Sequence, residues 1–177
     1  MGLIDQLGFD VPEPNRLQRI SGKLASSRPG SWLFARSLHH LDALTLRLSR
    51  GRTTVPRLFA GLPVFTLVTT GTRSGAPRRT PLVGVPIDGN IAIIGTRFGQ
   101  QNTPGWYFNL RAHPDAEAIY RDKAVPVTAR EAEGDERQAI WDRACRMYPG
   151  YQAYARRITH RPIHIMVLQP QPEPPGR

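Results

Sequence analysis

Arginines and glycines gather in one short, turn-like stretch of the sequence. It reads GTRSG over residues 71–75 and continues to Arg78 and Arg79. Glycines let backbone N–H groups come close to an anion, and each arginine offers a forked pair of donors that suits phosphate or carboxylate. The stretch therefore indicates an anion-binding turn; the alternative is an exposed hairpin tip whose charges face water. It is not a nucleotide-binding P-loop, because the GK[ST] sequence and the following helix are missing.

Three aromatic residues follow a proline in the segment PGWYF, residues 104–108. Proline suits the first turn of a helix, where its missing N–H costs nothing. A planar ligand can lie against Trp106 while the free N–H groups of the helix start face a negative group. The alternative is that Trp106 and Phe108 only fill the core.

Three tyrosines, Tyr148, Tyr151 and Tyr154, recur every three residues around a Pro149-Gly150 break. Helical spacing places Tyr151 and Tyr154 on neighbouring positions of one face. Hydroxyls that line a pocket can orient a polar substrate or supply a proton. The alternative is a stripe of packing residues.

The remaining reactive side chains favour neither metal nor covalent chemistry. His160 and His164 are four residues apart, but Pro162 between them argues against one helical face. Cys145 is the only cysteine, which excludes an intrachain disulfide or a multi-cysteine metal site. The sequence has no GxSxG, HExxH or GxGxxG motif, so a covalent hydrolase and a Rossmann dehydrogenase lack support.

Patterns of apolar residues and turn residues predict the elements that must position these groups. A basic helix over 31–49 is followed by a change to β-branched, strand-like sequence at about residue 63. The predicted strands are 64–70, 78–87, 91–96, 116–120, 124–132 and 162–170, and the predicted helices after residue 63 are 104–113, 133–148 and a short one ending near 159. This order predicts an antiparallel sheet that curls into a small barrel with helices at its ends.

Charge divides the 177-residue chain unevenly. The whole chain has 24 Lys and Arg residues against 14 Asp and Glu, a net charge of +10. Residues 16–57 hold nine basic residues and one acid, a net charge of +8. Such a balance suits a nucleic acid, a membrane surface or a polyanionic small molecule, and no nucleic-acid-binding motif is recognisable. We expect a basic helical extension over 1–57, a barrel domain over 58–170 and a disordered tail over 171–177.

The basic extension also holds an apolar stripe of Phe34, Leu38, Leu41 and Leu48, with Trp32 nearby. A basic helix with such a stripe can lie on an anionic membrane surface; the alternative is that the stripe packs on the barrel. No apolar run approaches the ~18 residues that a membrane span needs. Without a secretory signal, we expect a reduced, cytoplasmic setting, with peripheral attachment to the inner face of the cell membrane as one option.

Three segments together resemble the deazaflavin-dependent nitroreductase and quinone reductase family. They are LVTTGTRSGAPRRTPLV (67–83), PGWYFNLRAHPD (104–115) and MYPGYQAYARRITHRPIHIMVLQP (147–170). The resemblance covers about residues 60–170 in uninterrupted order. It implies an α+β split β-barrel of the pyridoxamine-phosphate-oxidase-like, FMN-binding type, here with an added N-terminal helix. It also implies coenzyme F420, a deazaflavin that carries a phosphate and a polyglutamate tail.

The same resemblance implies roles for individual residues. The residues implied to bind the cofactor are Arg73, Ser74, Gly75, Arg78, Thr80, Arg97, Pro104 and Trp106. Thr96 and the three tyrosines are implied as the catalytic residues beside the acceptor. Arg97 stands where the family usually has lysine, which keeps the charge and changes the hydrogen-bond geometry.

The implied reaction is hydride transfer from reduced deazaflavin to a quinone, a nitroaromatic compound or an activated enone. Two alternatives stay open: a split-barrel enzyme that uses FMN, and a non-catalytic protein that carries F420. A homodimer is a further expectation, because split barrels often dimerise. Neither a metal nor a nucleic acid is expected.

Overall fold

The computed structural model describes residues 1–10 and 62–172, which form an antiparallel sheet with helices around it. The strands are β1 Val64–Thr70, β2 Pro77–Val83, β3 Val85–Ile87, β4 Asn90–Ile94, β5 Asp115–Tyr120, β6 Lys123–Glu131 and β7 Ile165–Pro170. The α-helices are α1 Leu3–Leu7, α2 Gly105–Ala112, α3 Gly134–Met147 and α4 Gly150–Ala155, and a 3-10 turn covers Arg97–Gly99.

The sheet curls until its two edges meet in one stretch of chain. Its strand order is β2-β1-β5-β6-β7-β4-β3, and β2 and β3 are separated only by Gly84. β2 pairs with β1, whereas β3 pairs with β4 on the opposite edge. The prediction of an α+β split barrel is therefore confirmed. The single strand predicted over 78–87 is two strands, because the chain bends at Gly84 and changes partner.

Strand direction gathers particular connections at the same end of the barrel. Neighbouring strands are antiparallel throughout, with register pairs such as Thr69 with Ala116 and Ile94 with Ile165. The β1–β2 turn, the β4–α2 loop and the α4–β7 connection therefore lie at one end, which we call the site end. The two-residue turns 88–89 and 121–122 lie at the other.

Two apolar cores lie on opposite faces of strands β4 and β7. Ile91 and Ile93 of β4 point into the barrel interior, where Trp106 is also buried. Ala92 and Ile94 point outwards into a second core, which α3 and α4 cover. Because successive side chains of a strand face opposite sides, burial of both faces explains why these strands are continuously apolar in sequence.

Helix α1 closes the end of the barrel opposite the site end. Leu3 and Leu7 are one helical turn apart and fully buried in the barrel core. Phe9 follows them and packs edge-on against Phe65 and Tyr120. The N–H of Ile4 donates to the carbonyl of Gly89 in the β3–β4 turn at 3.0 Å. The sequence patterns predicted no separate helix at residues 3–7, yet these first residues pack into the core of the barrel.

Other predicted elements from residue 63 onwards agree with the structure to within about three residues at most ends. The helix expected over 31–49 and the domain boundary at residue 57 lie outside the described residues and stay predictions. Among the helices that the structure describes, none has the length and apolar character that crossing a membrane requires.

Replacing Gly84 by alanine should destabilise the fold. A Cβ atom at this position would lie 2.6 Å from the Phe9 ring and 2.8 Å from Ile91 Cγ2, so the barrel bend and α1 would both have to shift. Overpacking of a core typically costs about 1–3 kcal/mol. Urea unfolding followed by circular dichroism measures the loss. Gly105→Ala is the control, because a Cβ there meets nothing within 4 Å; equal stability of the two variants would contradict the tight bend.

Candidate active site

The arginine-rich turn at the site end is exposed and is anchored by a buried side chain. Residues 72–79 all face solvent, which includes the predicted ligands Arg73, Ser74, Gly75 and Arg78. Ser74 organises the turn: its hydroxyl accepts hydrogen bonds from the N–H of Ala76 at 3.3 Å and from the Arg78 guanidinium at 3.2 Å. These hydrogen bonds fix the backbone of the turn that carries Arg73 and Arg78. Thr80, further along β2, is half-buried.

Asn109 of α2 connects this turn to the helix beside it. Its side-chain amide donates to the hydroxyl of Thr69 at 2.9 Å and accepts from the N–H of Thr72 at 3.2 Å. Asn109 is 9% exposed, and a buried amide with both ends satisfied fixes the elements that it joins. The turn and α2 therefore form one unit.

The β4–α2 loop presents one buried hydroxyl and one exposed cation. Thr96 is 4% exposed, and its hydroxyl has no hydrogen-bond partner within the residues that the structure describes. Buried polar groups nearly always have a hydrogen-bond partner, so a buried hydroxyl without one indicates a place for a ligand or an ordered water. Arg97 follows it and is exposed. Gly95, just before Thr96, lies beside the ring of Pro104, which brings this loop to the start of α2.

Helix α2 is held to the sheet by a polar cluster around Tyr107. The Tyr107 hydroxyl donates to Glu131 at 3.2 Å and accepts from Arg111 at 3.0 Å. His164 Nδ1 is bonded to the same carboxylate at 2.7 Å, and its ring stacks on Tyr107 at 3.7 Å between centroids. These contacts fix the helix that carries Trp106, which is 5% exposed. Phe108 on the next position is 53% exposed and does not fill the core.

The three tyrosines form a buried aromatic cluster in the second core. Each ring lies 5.8–6.5 Å from the other two, and the hydroxyls of Tyr148 and Tyr154 are 3.2 Å apart. The Tyr151 hydroxyl has no hydrogen-bond partner in the described part of the chain. Burial raises the pKa of both Tyr151 and Tyr154 well above the usual range. Both phenols are therefore neutral at physiological pH and are able to donate a hydrogen bond.

A glycine makes this cluster possible. The ring of Tyr148 folds over the α-carbon of Gly150, at the place where a Cβ atom would stand. The Pro149-Gly150 pair thus ends α3, begins α4 and leaves space for Tyr148 between them. The cluster also reaches the β4–α2 loop, because Phe98 packs edge-on against Tyr154 with 6.1 Å between ring centroids.

Positive charge at the site end is not neutralised locally. Arg73, Arg78 and Arg97 form no ion pair with any carboxylate among residues 1–10 and 62–172. Among those same residues, no three His, Cys, Asp or Glu side chains converge on one point. Burial raises the pKa of the Cys145 thiol, which is the opposite of what a nucleophilic cysteine requires.

Comparison with known proteins decides the family. Residues 42–170 match the family described as F420H(2)-dependent quinone reductase. The chain belongs to this family. The family relationship confirms the resemblance on which the site predictions depend, whereas the roles of individual residues stay predictions.

Relatives and solved structures agree with that membership. The F420H(2)-dependent quinone reductase Rv1261c of Mycobacterium tuberculosis is 31% identical over 112 residues, which cover 60% of this chain and 72% of Rv1261c. The solved F420-H2 dependent reductase FDR-A is 37% identical with a TM-score of 0.55, covering 60% of this chain and 93% of its own. A second structure, described as a domain-swapped dimer, is 32% identical with a TM-score of 0.57. The match covers 79% of this chain and 98% of the chain in that structure.

The structure brings most of the predicted site residues to one end of the barrel but divides them between two cores. Trp106 belongs to the core inside the barrel, whereas the tyrosines belong to the core outside it. Pro104 and the Thr96 loop lie between them through contacts with Gly95 and Phe98. The sequence patterns did not single out Asn109, which joins the arginine-rich turn to α2, or Arg161, whose side chain bonds to the carbonyls of Gly95, Thr96 and Gln100. Their only signal was their position inside the motif segments.

Removing the Asn109 side chain should loosen the arginine-rich turn. Asn109→Ala leaves the Thr69 hydroxyl and the Thr72 N–H without their partner, and such a loss costs about 1–3 kcal/mol. We expect a lower melting temperature together with faster hydrogen exchange over residues 69–79. Phe108→Ala, on the same helix but largely exposed, is the control and should leave both unchanged. If the turn exchanges equally in the two variants, Asn109 does not anchor it.

Proposed function

We propose that this chain catalyses hydride transfer from reduced coenzyme F420 to a quinone at the site end of the barrel. One observation carries the proposal: in a member of this family, the buried hydroxyls of Thr96 and Tyr151 lack hydrogen-bond partners within the described residues. The uncompensated arginines at the same end provide the matching charge. An anionic coenzyme and a polar acceptor would satisfy both kinds of group.

The chemistry of the donor set fits F420. Arg73 and Arg78 project from the exposed turn and pair with no carboxylate of the described residues, so each could bind a phosphate with forked hydrogen bonds. Arg97, on the neighbouring loop, adds a third cation that suits a tail rich in carboxylates. Ser74, Gly75 and Thr80 would complete the phosphate side, and Pro104 with Trp106 would form the wall beside the deazaflavin.

When bound, F420 supplies a hydride for two-electron reduction of an electrophile. The residues of this chain hold the reactants together and stabilise the negative charge that develops on the acceptor oxygen. Tyr151 is suited to this second role, because its hydroxyl is neutral and unpartnered in the described part of the chain. Tyr148 and Tyr154 bond to each other, so they support Tyr151 through packing. Thr96 would donate from the loop between the two cores.

Two alternatives predict different measurements. A split-barrel enzyme that uses FMN would bind FMN at least as tightly as F420, although FMN lacks the carboxylate-rich tail that Arg97 is suited to meet. A non-catalytic carrier would bind F420 but would not oxidise F420H2 when a quinone is added. The buried Tyr151 hydroxyl, which has no hydrogen-bond partner among residues 1–10 and 62–172, favours the enzyme, because a carrier needs no donor beside an acceptor.

Three finer features rest on the sequence. Reduction of nitroaromatic compounds and activated enones follows from the same hydride chemistry and extends the proposal beyond quinones. Attachment to anionic membrane surfaces from the cytoplasmic side depends on the +8 charge of residues 16–57, which lie outside the described range. A homodimer is a further part of the proposal, and it is supported by the similar structure described as a domain-swapped dimer.

Arg73→Ala and Arg78→Ala should each weaken binding of F420 without loss of fold. A hydrogen bond to a charged group contributes about 1.5–3 kcal/mol, so the Kd measured by calorimetry should rise about tenfold or more. Arg143→Ala is the control, since it removes the same charge from an exposed position on α3. Unchanged affinity in both turn variants would show that the coenzyme's anion binds elsewhere. FMN binding as tight as F420 binding would favour the flavin alternative.

Among the tyrosines, Tyr151→Phe should reduce turnover most. Loss of one donor to a developing oxyanion typically lowers kcat about 10²-fold. For Tyr151→Phe we expect kcat for the oxidation of F420H2 by menadione to fall about 10²-fold, while the Kd for F420 stays nearly unchanged. Tyr148→Phe and Tyr154→Phe, which remove the bond between these two hydroxyls, serve as matched comparisons with smaller expected losses. Full turnover of Tyr151→Phe with several acceptors would assign the tyrosines to packing, and no turnover by the wild type would favour the carrier.

A further inference from the structure

Arg161, in the connection between α4 and β7, binds both ends of residues 95–100, the first part of the β4–α2 loop. Its Nη1 donates to the carbonyl of Gly95 at 2.8 Å, and its Nη2 donates to the carbonyl of Thr96 at 3.3 Å. Its Nη2 and Nε also donate to the carbonyl of Gln100, at 3.0 and 3.3 Å. A further bond goes to the carbonyl of its own neighbour, Pro162, at 3.1 Å. The planar guanidinium thus closes the loop around Thr96 and Arg97.

The loop needs such a clamp, because its backbone is in a disfavoured conformation. Arg97, Phe98 and Gly99 have φ angles of 43°, 57° and 81°, and the left-handed region is unfavourable for residues with a side chain. Thr96, just before them, is right-handed, with φ −77° and ψ −26°.

Arg161 is also a cation without a carboxylate partner in the described chain. All of its recorded hydrogen bonds go to carbonyl oxygens, and no ion pair includes it. Burial, and then repulsion from Arg97, lowers the pKa of Arg161. An anion bound at Arg97 would offset this repulsion between the two arginines. Arg161 and the predicted coenzyme site would therefore both be stabilised by a bound negative charge.

A second set of contacts joins the same two segments. The side-chain amide of Gln101 donates to the carbonyl of Arg157 at 2.5 Å, and its oxygen accepts from the N–H of Thr159 at 3.4 Å. Two side chains therefore join the β4–α2 loop to the chain that follows α4. Gln101 reaches out from the loop, and Arg161 reaches back to it.

We propose that Arg161 is a positioning residue: it fixes residues 95–100 so that the Thr96 hydroxyl and Arg97 are presented to the charged end of F420. The proposal rests on the proposed function for its ligand but not for its structural part. Arg161 acts through the three loop carbonyls that it holds, those of Gly95, Thr96 and Gln100, and it need not touch the coenzyme.

Three variants separate the clamp from its charge. Arg161→Gln removes both the fork and the charge, whereas Arg161→Lys keeps the charge on a single ammonium that cannot match the planar fork. Arg156→Gln is the control, because Arg156 is an exposed residue of the same connection whose side chain forms no hydrogen bond or ion pair with residues 1–10 or 62–172. The measurements are hydrogen exchange over residues 95–101 without coenzyme, the Kd for F420, and the kcat and KM for F420H2 with menadione.

We expect exchange over residues 95–101 to be faster in Arg161→Gln and in Arg161→Lys, and unchanged in Arg156→Gln. The Kd and the KM for F420H2 should rise about tenfold in Arg161→Gln, with a smaller fall in kcat. Arg161→Lys should recover only part of this affinity. A melting temperature close to that of the wild type would show that the loss is local.

Two results would overturn the proposal. If Arg161→Gln matches Arg156→Gln in exchange and Kd, Arg161 does not position the loop. If Arg161→Lys binds F420 as tightly as the wild type and leaves exchange unchanged, Arg161 contributes only its charge. Failure of the proposed function would appear separately, as a wild type that does not bind F420, and the exchange comparison would then decide whether Arg161 holds the loop.

Discussion

The bend at Gly84 is the constraint on which the rest of the structure depends. It allows one stretch of chain to pair with β1 before the bend and with β4 after it, so the sheet closes without a free pair of edges. Closure fixes which connections share an end, because antiparallel strands alternate in direction. The arginine-rich turn, the Thr96 loop and the connection that carries Arg161 become neighbours for this reason. Phe9 packs at the bend, so α1 supports closure as well.

The two ends of the barrel differ in how completely their groups are satisfied. At the end that α1 closes, apolar side chains fill the interior and the N–H of Ile4 pairs with the Gly89 carbonyl. At the site end, the buried hydroxyls of Thr96 and Tyr151 have no hydrogen-bond partner among the described residues. The arginines of the turn face solvent, and residues 97–99 have positive φ angles. Proteins keep such unsatisfied groups mainly where function requires them. We propose that coenzyme F420, the cofactor of this family, supplies the missing partners of these groups.

Local sequence signals predicted most strands and helices, because period-2 and period-3.6 patterns and Gly or Pro breaks are encoded within a few residues. They did not predict α1, whose five residues are too few for a clear period and which is stabilised by distant strands. They did not divide the 78–87 strand at Gly84, because the change of partner is a property of the closed sheet. Arg161 could not be assigned for the same reason: its partners at Gly95 and Gln100 are more than sixty residues away. Residue types and spacing singled out the arginine-rich turn, the Trp106 segment and the tyrosines, family resemblance supplied their roles, and the structure adds the contacts that hold them.

The most direct test of this account is a structure of the full chain with F420 bound. The account predicts the phosphate within hydrogen-bonding distance, about 3 Å, of Arg73 or Arg78, and the deazaflavin at the site end beside Trp106 and the Thr96 loop. It also predicts that residues 95–100 keep the conformation that Arg161 holds. A coenzyme bound at the α1 end, or on a face remote from the turn and this loop, would contradict the account.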